Sequence, residues 1–128
     1  MQKDFDSWNT IKKDTEKELR EFFFKPREIW WCRLGCNIGH EQDGKGVEFE
    51  RPVVIIKKFN NRICLTAPLT TKLKDNKYYV PIVAEDGVDR MCIISQIRLT
   101  DIVRFNEKIG FATEETFNQI IKAIKDML

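Results

Sequence analysis

The sequence predicts a mainly β, α+β fold: antiparallel strands curled into a small barrel, with one helix before them and one after. Three observations carry this. Helical periodicity is confined to the two ends of the chain. Between the ends lie about five short segments rich in β-branched and aromatic residues. Short turns join most of them, which points to an antiparallel sheet curled into a small barrel. A length of 128 residues fits one domain.

Residues 3–22 read as a helix. Phe5, Trp8, Ile11, Thr15, Leu19 and Phe22 recur at three- and four-residue steps and form one stripe. The rest is charged and balanced in sign. Pro26 ends the helix, because its ring disfavours helical geometry in the residue before it. The stripe must lie against the chain's own core or against a partner. Glu28–Leu34 (EIWWCRL) is the first strand, ended by Gly35. Residues 35–50 hold four glycines among polar groups and read as a long loop or irregular hairpin. Pro52–Lys58 contains the run VVII, suited to a strand covered on both faces. Asn60-Asn61 turns the chain into Arg62–Ala67, and Thr70–Lys77 is a basic loop. Tyr78–Ala84 and Arg90–Ser95 are two more strands about Glu85-Asp86-Gly87, and Thr100–Asn106 reads as a short helical turn. A closing helix starts at Thr113, a good N-cap, with Glu114 and Glu115 in its first turn. Phe117, Ile120, Ile121, Ile124 and Leu128 are its core stripe.

Composition excludes several classes. Apolar residues make up 42% and aromatics 11%, which is enough for a core and too much for a disordered tail. No apolar run approaches the roughly 18 residues of a membrane span. The first residues lack the basic-then-apolar layout of a secretion signal, so a cytoplasmic location is expected. Cys32, Cys36, Cys64 and Cys92 match neither a zinc-ribbon spacing nor a secreted disulfide set, so buried free thiols are expected. With one histidine and no convincingly spaced carboxylates, no metal or cofactor is expected.

The formal charge of +2 hides a local imbalance. Residues 51–80 carry Arg51, Lys57, Lys58, Arg62, Lys72, Lys74 and Lys77 against Asp75 alone. Such a surface either attracts phosphates or serves solubility. The preceding loop holds His40, Glu41 and Gln42 among glycines that permit close approach of a ligand. His40 is the one side chain with an ordinary pKa near neutrality.

Several blocks together resemble a known family. They are Glu28-Ile29-Trp30, Gly39-His40-Glu41-Gln42, Arg51-Pro52-Val53, Pro68-Leu69-Thr70 and Gln96-Ile97-Arg98 with Asp101 and Arg104. In order and spacing they resemble the MazF/PemK (Kid) toxin endoribonucleases of type II toxin–antitoxin pairs. The resemblance covers roughly residues 27–128, leaving 1–26 as a helical extension. It implies an SH3-like barrel, usually homodimeric, that arrests growth. It also implies sequence-specific cutting of single-stranded RNA without a metal, leaving 2′,3′-cyclic phosphate and 5′-hydroxyl ends. A cognate antitoxin protein is the implied partner.

Carried over residue by residue, the catalytic arginine is Arg51 and the catalytic threonine Thr70. His40 is a candidate base, and Glu41 and Gln42 fall in the RNA-contacting loop. Arg51 offers a planar cationic fork to phosphoryl oxygens, as clamp or proton donor. Thr70 offers a hydroxyl to a phosphoryl oxygen or to the 2′-oxygen. Lys72 and Lys74 follow at once and are expected to meet the RNA backbone. Gln96 and Arg98 are expected to fix the fold or the dimer. The segment Lys45–Glu50 is additional to the family pattern; Phe49 within it offers a stacking face, while its acids repel RNA. The alternative function is a catalytically weak relative that binds an antitoxin or nucleic acid without efficient cleavage.

Overall fold

The computed structural model describes residues 23–33 and 50–128. The helix expected over 3–22, and all but Glu50 of the loop expected over 35–50, lie outside these residues. Within them the chain forms β1 (Glu28–Arg33), β2 (Glu50–Lys58), β3 (Ile63–Thr70), β4 (Tyr79–Ile82), β5 (Arg90–Ile93), β6 (Arg98–Asp101), β7 (Phe105–Phe111) and α1 (Glu114–Met127). Two 3₁₀ turns, Ile94–Gln96 and Ile102–Arg104, flank β6.

The seven strands form one antiparallel sheet in the order β4-β5-β3-β2-β1-β7, with β6 also paired to β3. This corrects the expected SH3-like barrel. Among the described residues the ladder path ends at β4 and β7, and only an isolated bridge, Ala84↔Ala112, joins the chain beyond those two ends. A single bridge is not a closing ladder. The physical reason lies in two places. The β4 strand is four residues long and contains Pro81, which has no N–H to donate, as suits an edge. The β3 strand forks: Ile63–Thr66 pair with β6, and Leu69-Thr70 pair with β5. Pro68 sits at the fork, between the two ladders, where a missing donor is tolerated. The sheet branches instead of returning on itself.

Side chains of the two sheet faces build two cores. Ile29, Val54, Ala67 and Leu69 point to the side covered by Ile120 and Ile124 of α1. Trp30, Ile55 and Cys64 point the other way, against Phe24, Ile102 and Phe105, whose ring stacks on Trp30 at 5.4 Å. The VVII run of β2 therefore feeds both cores, and all four residues are buried. Between β1 and β7, the buried Glu28 carboxylate accepts from Trp30 Nε1 at 2.9 Å and pairs with Lys108 Nζ at 3.4 Å.

The turns follow their side chains. Asn60 Oδ1 accepts from the backbone N–H of both Arg62 and Ile63 at 2.8 Å, which closes the β2–β3 hairpin. Gly87 takes the left-handed φ of 73° that the next turn requires. Thr113 caps α1 by accepting from Thr116 N–H at 3.3 Å. Thr113 N–H also donates to Val83 O at 2.9 Å, so the helix start is fastened just beyond β4. Two further expectations change. Leu128 is 89% exposed instead of lying in the helix core. The helical turn expected over Thr100–Asn106 shrinks to Ile102–Arg104, and β7 continues from it.

Candidate functional site: a row across five strands

Arg51 lies in β2 opposite Cys32 of β1. Thr70 ends β3 opposite Met91 of β5. Between β2 and β3 the register includes Val53↔Pro68. Arg51 is two residues before Val53, and Thr70 is two residues after Pro68. Side chains two apart on a strand share a face. The two candidates therefore emerge on one face, on neighbouring strands, at the same end. Met91 in turn pairs with Pro81 of β4. One row, Cys32–Arg51–Thr70–Met91–Pro81, crosses five strands on the face opposite α1.

Local contacts fix this end of the sheet. Asn106 Nδ2 donates to Glu50 Oε2 at 2.8 Å, holding the residue before Arg51 against β7. Thr70 Oγ1 accepts from Lys72 N–H at 3.1 Å, so the hydroxyl oxygen is set by a tight local turn and keeps its own proton to donate. Lys74 N–H donates to Met91 Sδ at 3.2 Å, folding the basic loop back onto β5. Both Arg51 and Thr70 are half-buried, while Lys72 and Lys74 are exposed.

The charge is more local than the sequence suggested. Lys57 and Lys58 occupy the far end of β2, about 20 Å from Arg51 at 3.3 Å per residue, and cover the rings of Phe59 and Phe24. Arg62 pairs with Asp101 at 3.3 Å. Two arginines placed with the fold join the row instead. Arg98 opens β6 opposite Thr66, at the end of β6 nearer Thr70. Arg104 donates to Arg33 O at 3.2 Å. Burial pushes the Cys32 thiol up to about 11, against the charges of Arg104 and Arg98, which favour the thiolate. Arg51, Arg98 and Arg104 therefore gather near this end of the sheet, with the Glu50 carboxylate as the acid among them. His40, Glu41, Gln42 and Phe49 lie outside the described residues. Among those residues, no group of three His, Cys, Asp or Glu side chains is placed to hold a metal ion.

A cationic fork and a hydroxyl on adjacent strands suit an oxyanion such as a phosphodiester. Residues 25–128 match the family described as PemK-like, MazF-like toxin of type II toxin–antitoxin systems. The chain belongs to that family.

Solved structures of MazF-family toxins share the fold at low identity. MazF from Deinococcus radiodurans superposes with a TM-score of 0.66 at 17% identity, covering 83% of this chain and 96% of that one. An endoribonuclease in complex with its cognate antitoxin, from a mycobacterial species, gives 0.62 at 17%, covering 81% and 93%. The Mycobacterium tuberculosis toxin MazF-mt6 gives 0.59 at 18%, covering 78% and 94%. No curated protein sequence matches the chain. In this MazF-like chain, Arg98 carries a sequence signal in the Gln96-Ile97-Arg98 block, but that block is expected to fix the fold or the dimer. Its place beside the row follows from β6 pairing with β3, 34 positions away in sequence for the paired Thr66 and Thr100 hydroxyls.

Proposed function

We propose that the protein is the toxin of a toxin–antitoxin pair and a metal-independent, sequence-specific endoribonuclease acting on single-stranded RNA. The observation that carries the reading is the shared row of Arg51 and Thr70 on a MazF-family sheet. In this reaction the 2′-oxygen of the substrate bonds to phosphorus, and the bond from phosphorus to the 5′-oxygen breaks. The 2′-hydroxyl loses a proton and the leaving 5′-oxygen gains one. The products are a 2′,3′-cyclic phosphate and a 5′-hydroxyl. Arg51 holds the phosphoryl oxygens as negative charge builds on them, and Thr70 donates its proton to one of them. His40 serves as the proton carrier, with Glu41, Gln42 and Phe49 contacting RNA from the first loop. Lys72 and Lys74 meet the RNA backbone. We place residues 1–26 as an extension to a toxin domain of residues 27–128, acting in the cytoplasm as a homodimer. The antitoxin-bound mycobacterial relative supports a cognate antitoxin as the second partner.

The test is cleavage of a long mixed-sequence RNA by the purified protein in EDTA, with the ends identified. Cyclic phosphate ends are expected. A substrate carrying one 2′-deoxy residue just 5′ of the cut should resist. Activity lost in EDTA and restored by magnesium overturns the mechanism. Folded protein that binds RNA without cutting favours the weak-relative alternative.

A further inference from the structure

The row does not stop at Thr70. Beyond it, Met91 and Pro81 form one wall of a cleft of about 420 Å³, within the roughly 300–1,000 Å³ that ligand pockets occupy. Leu73, Lys74, Asp75 and Asp89 also line it. Leu73 is 63% exposed, so an apolar surface stands open at the rim. Arg90, also in the lining, is buried and held by Asp86 through two bonds of 3.1 and 2.7 Å. The Lys74 backbone is tied to Met91 Sδ. By contrast, Asp75 and Asp89 make no ion pair or side-chain hydrogen bond among the described residues, although both line the cleft. The Lys74 ammonium lies over the Tyr79 ring at 5.2 Å, which leaves its N–H groups open to an acceptor.

The geometry points to a nucleobase pocket: the cleft bounded by Met91, Pro81 and Asp89 takes a guanine flanking the scissile phosphate. This rests on the endoribonuclease reading and adds the base that the site selects. Strands stand about 4.8 Å apart, so the cleft begins one strand from Thr70 and lies within reach of the adjoining nucleotide. Leu73, Pro81, Val83 and Met91 in the cleft lining offer apolar surface to the face of an extruded base. The polar groups then choose among bases. Guanine alone presents two adjacent donors, N1–H and the 2-amino group, beside an acceptor, O6. A free carboxylate accepts the two donors, and the Lys74 ammonium donates to O6. Adenine offers an acceptor where guanine offers N1–H, and that acceptor faces a carboxylate. The pyrimidines lack the paired donors.

The experiment titrates guanosine 5′-monophosphate and adenosine 5′-monophosphate separately into the isotope-labelled full chain, following backbone amide shifts. In parallel, cut sites are mapped on mixed-sequence RNA. The expected result is that the guanine nucleotide shifts Lys74, Asp89 and Met91, binding about tenfold tighter than the adenine nucleotide. Asp89→Asn and Asp75→Asn, alone and combined, should erase that preference. Both residues are exposed, so the variants keep the wild-type melting temperature. On RNA, guanine should appear beside the cut, and the variants should relax that one position. Equal binding of the two nucleotides, shifts confined to other surfaces, or cut sites without guanine would overturn the inference and leave the nuclease reading standing. A guanine preference in a protein that never cuts RNA would leave the pocket and remove the nuclease.

Discussion

Replacing Arg51 or Thr70 by alanine removes a charge or a hydroxyl from the face opposite α1 without opening a core, since neither residue is fully buried. Each variant should lose about 10²-fold or more in single-turnover RNA cleavage, the usual loss when one transition-state donor is removed. Melting temperature should stay close to wild type. A folded variant that cuts at the wild-type rate would move the chemistry away from this row. The thiols give a second residue-scale expectation. Burial raises Cys32 to about 11 and Cys64 and Cys92 to about 12, with desolvation the leading cause for each. Only the thiolate reacts readily. At pH 8, in a Cys36→Ser background, these three thiols should resist a disulfide reagent until denaturant is added. Fast labelling of the native protein would show that the cores open.

At the scale of elements, the turn before β5 depends on the Asp86–Arg90 pair. The paired hydrogen bonds from Arg90 are the main cause holding the Asp86 carboxyl below its ordinary 3.8. Folding therefore favours the charged carboxylate. Its stabilisation is fully present above the unfolded value and is lost as pH falls through the lower folded one. Asp86→Asn should cost about 1–3 kcal/mol at pH 7, because it weakens the bonds to a buried guanidinium. The urea midpoints of variant and wild type should converge toward pH 2; a gap that stays constant would exclude the linkage. Thr113→Ala should cost about 1 kcal/mol by removing the α1 cap. Elements were legible where periodicity was strong. The α1 stripe and its cap follow from spacing, and the VVII run marks the doubly covered β2. By contrast, β7 was not legible. Asn106, Glu107 and Lys108 are exposed on a strand that, among the described residues, pairs only with β1, and register shifts in that pairing break the alternation.

For the whole molecule, the electrostatic footprint is smaller than the basic stretch of sequence. Lys57 and Lys58 stand at the wrong end of β2, and Arg62 is paired with Asp101. With about three phosphate contacts, single-stranded RNA binding should weaken with a log–log salt slope near −2, at about −0.7 per contact. Lys72→Ala and Lys74→Ala should make the slope shallower, whereas Lys57→Ala and Lys58→Ala should leave it unchanged. An equal effect from all four would return the patch to ordinary solvated surface. This is also why the site was only half legible. Arg51 and Thr70 sit in recognisable blocks, but Met91 and Asp89 carry no signal until β5 is laid beside β3. The barrel expectation erred for the same reason, since a fork in β3 leaves no mark in a pattern of alternation.

That fork has a consequence for how the molecule comes into being. A chain emerging from the ribosome can pair β3 with β2 at once, through the hairpin at Asn60. The other partners of β3 are made later, β5 at residues 90–93 and β6 at 98–101, and β7 reaches β1 only at 105–111. Contacts this distant in sequence make for slow folding. Until they form, Thr70 has no neighbour on its far side, and the row that joins it to Pro81 does not exist. Nascent fragments ending before residue 90 therefore lack the row, and Thr70 gains its neighbour on that side only once β5 has been made.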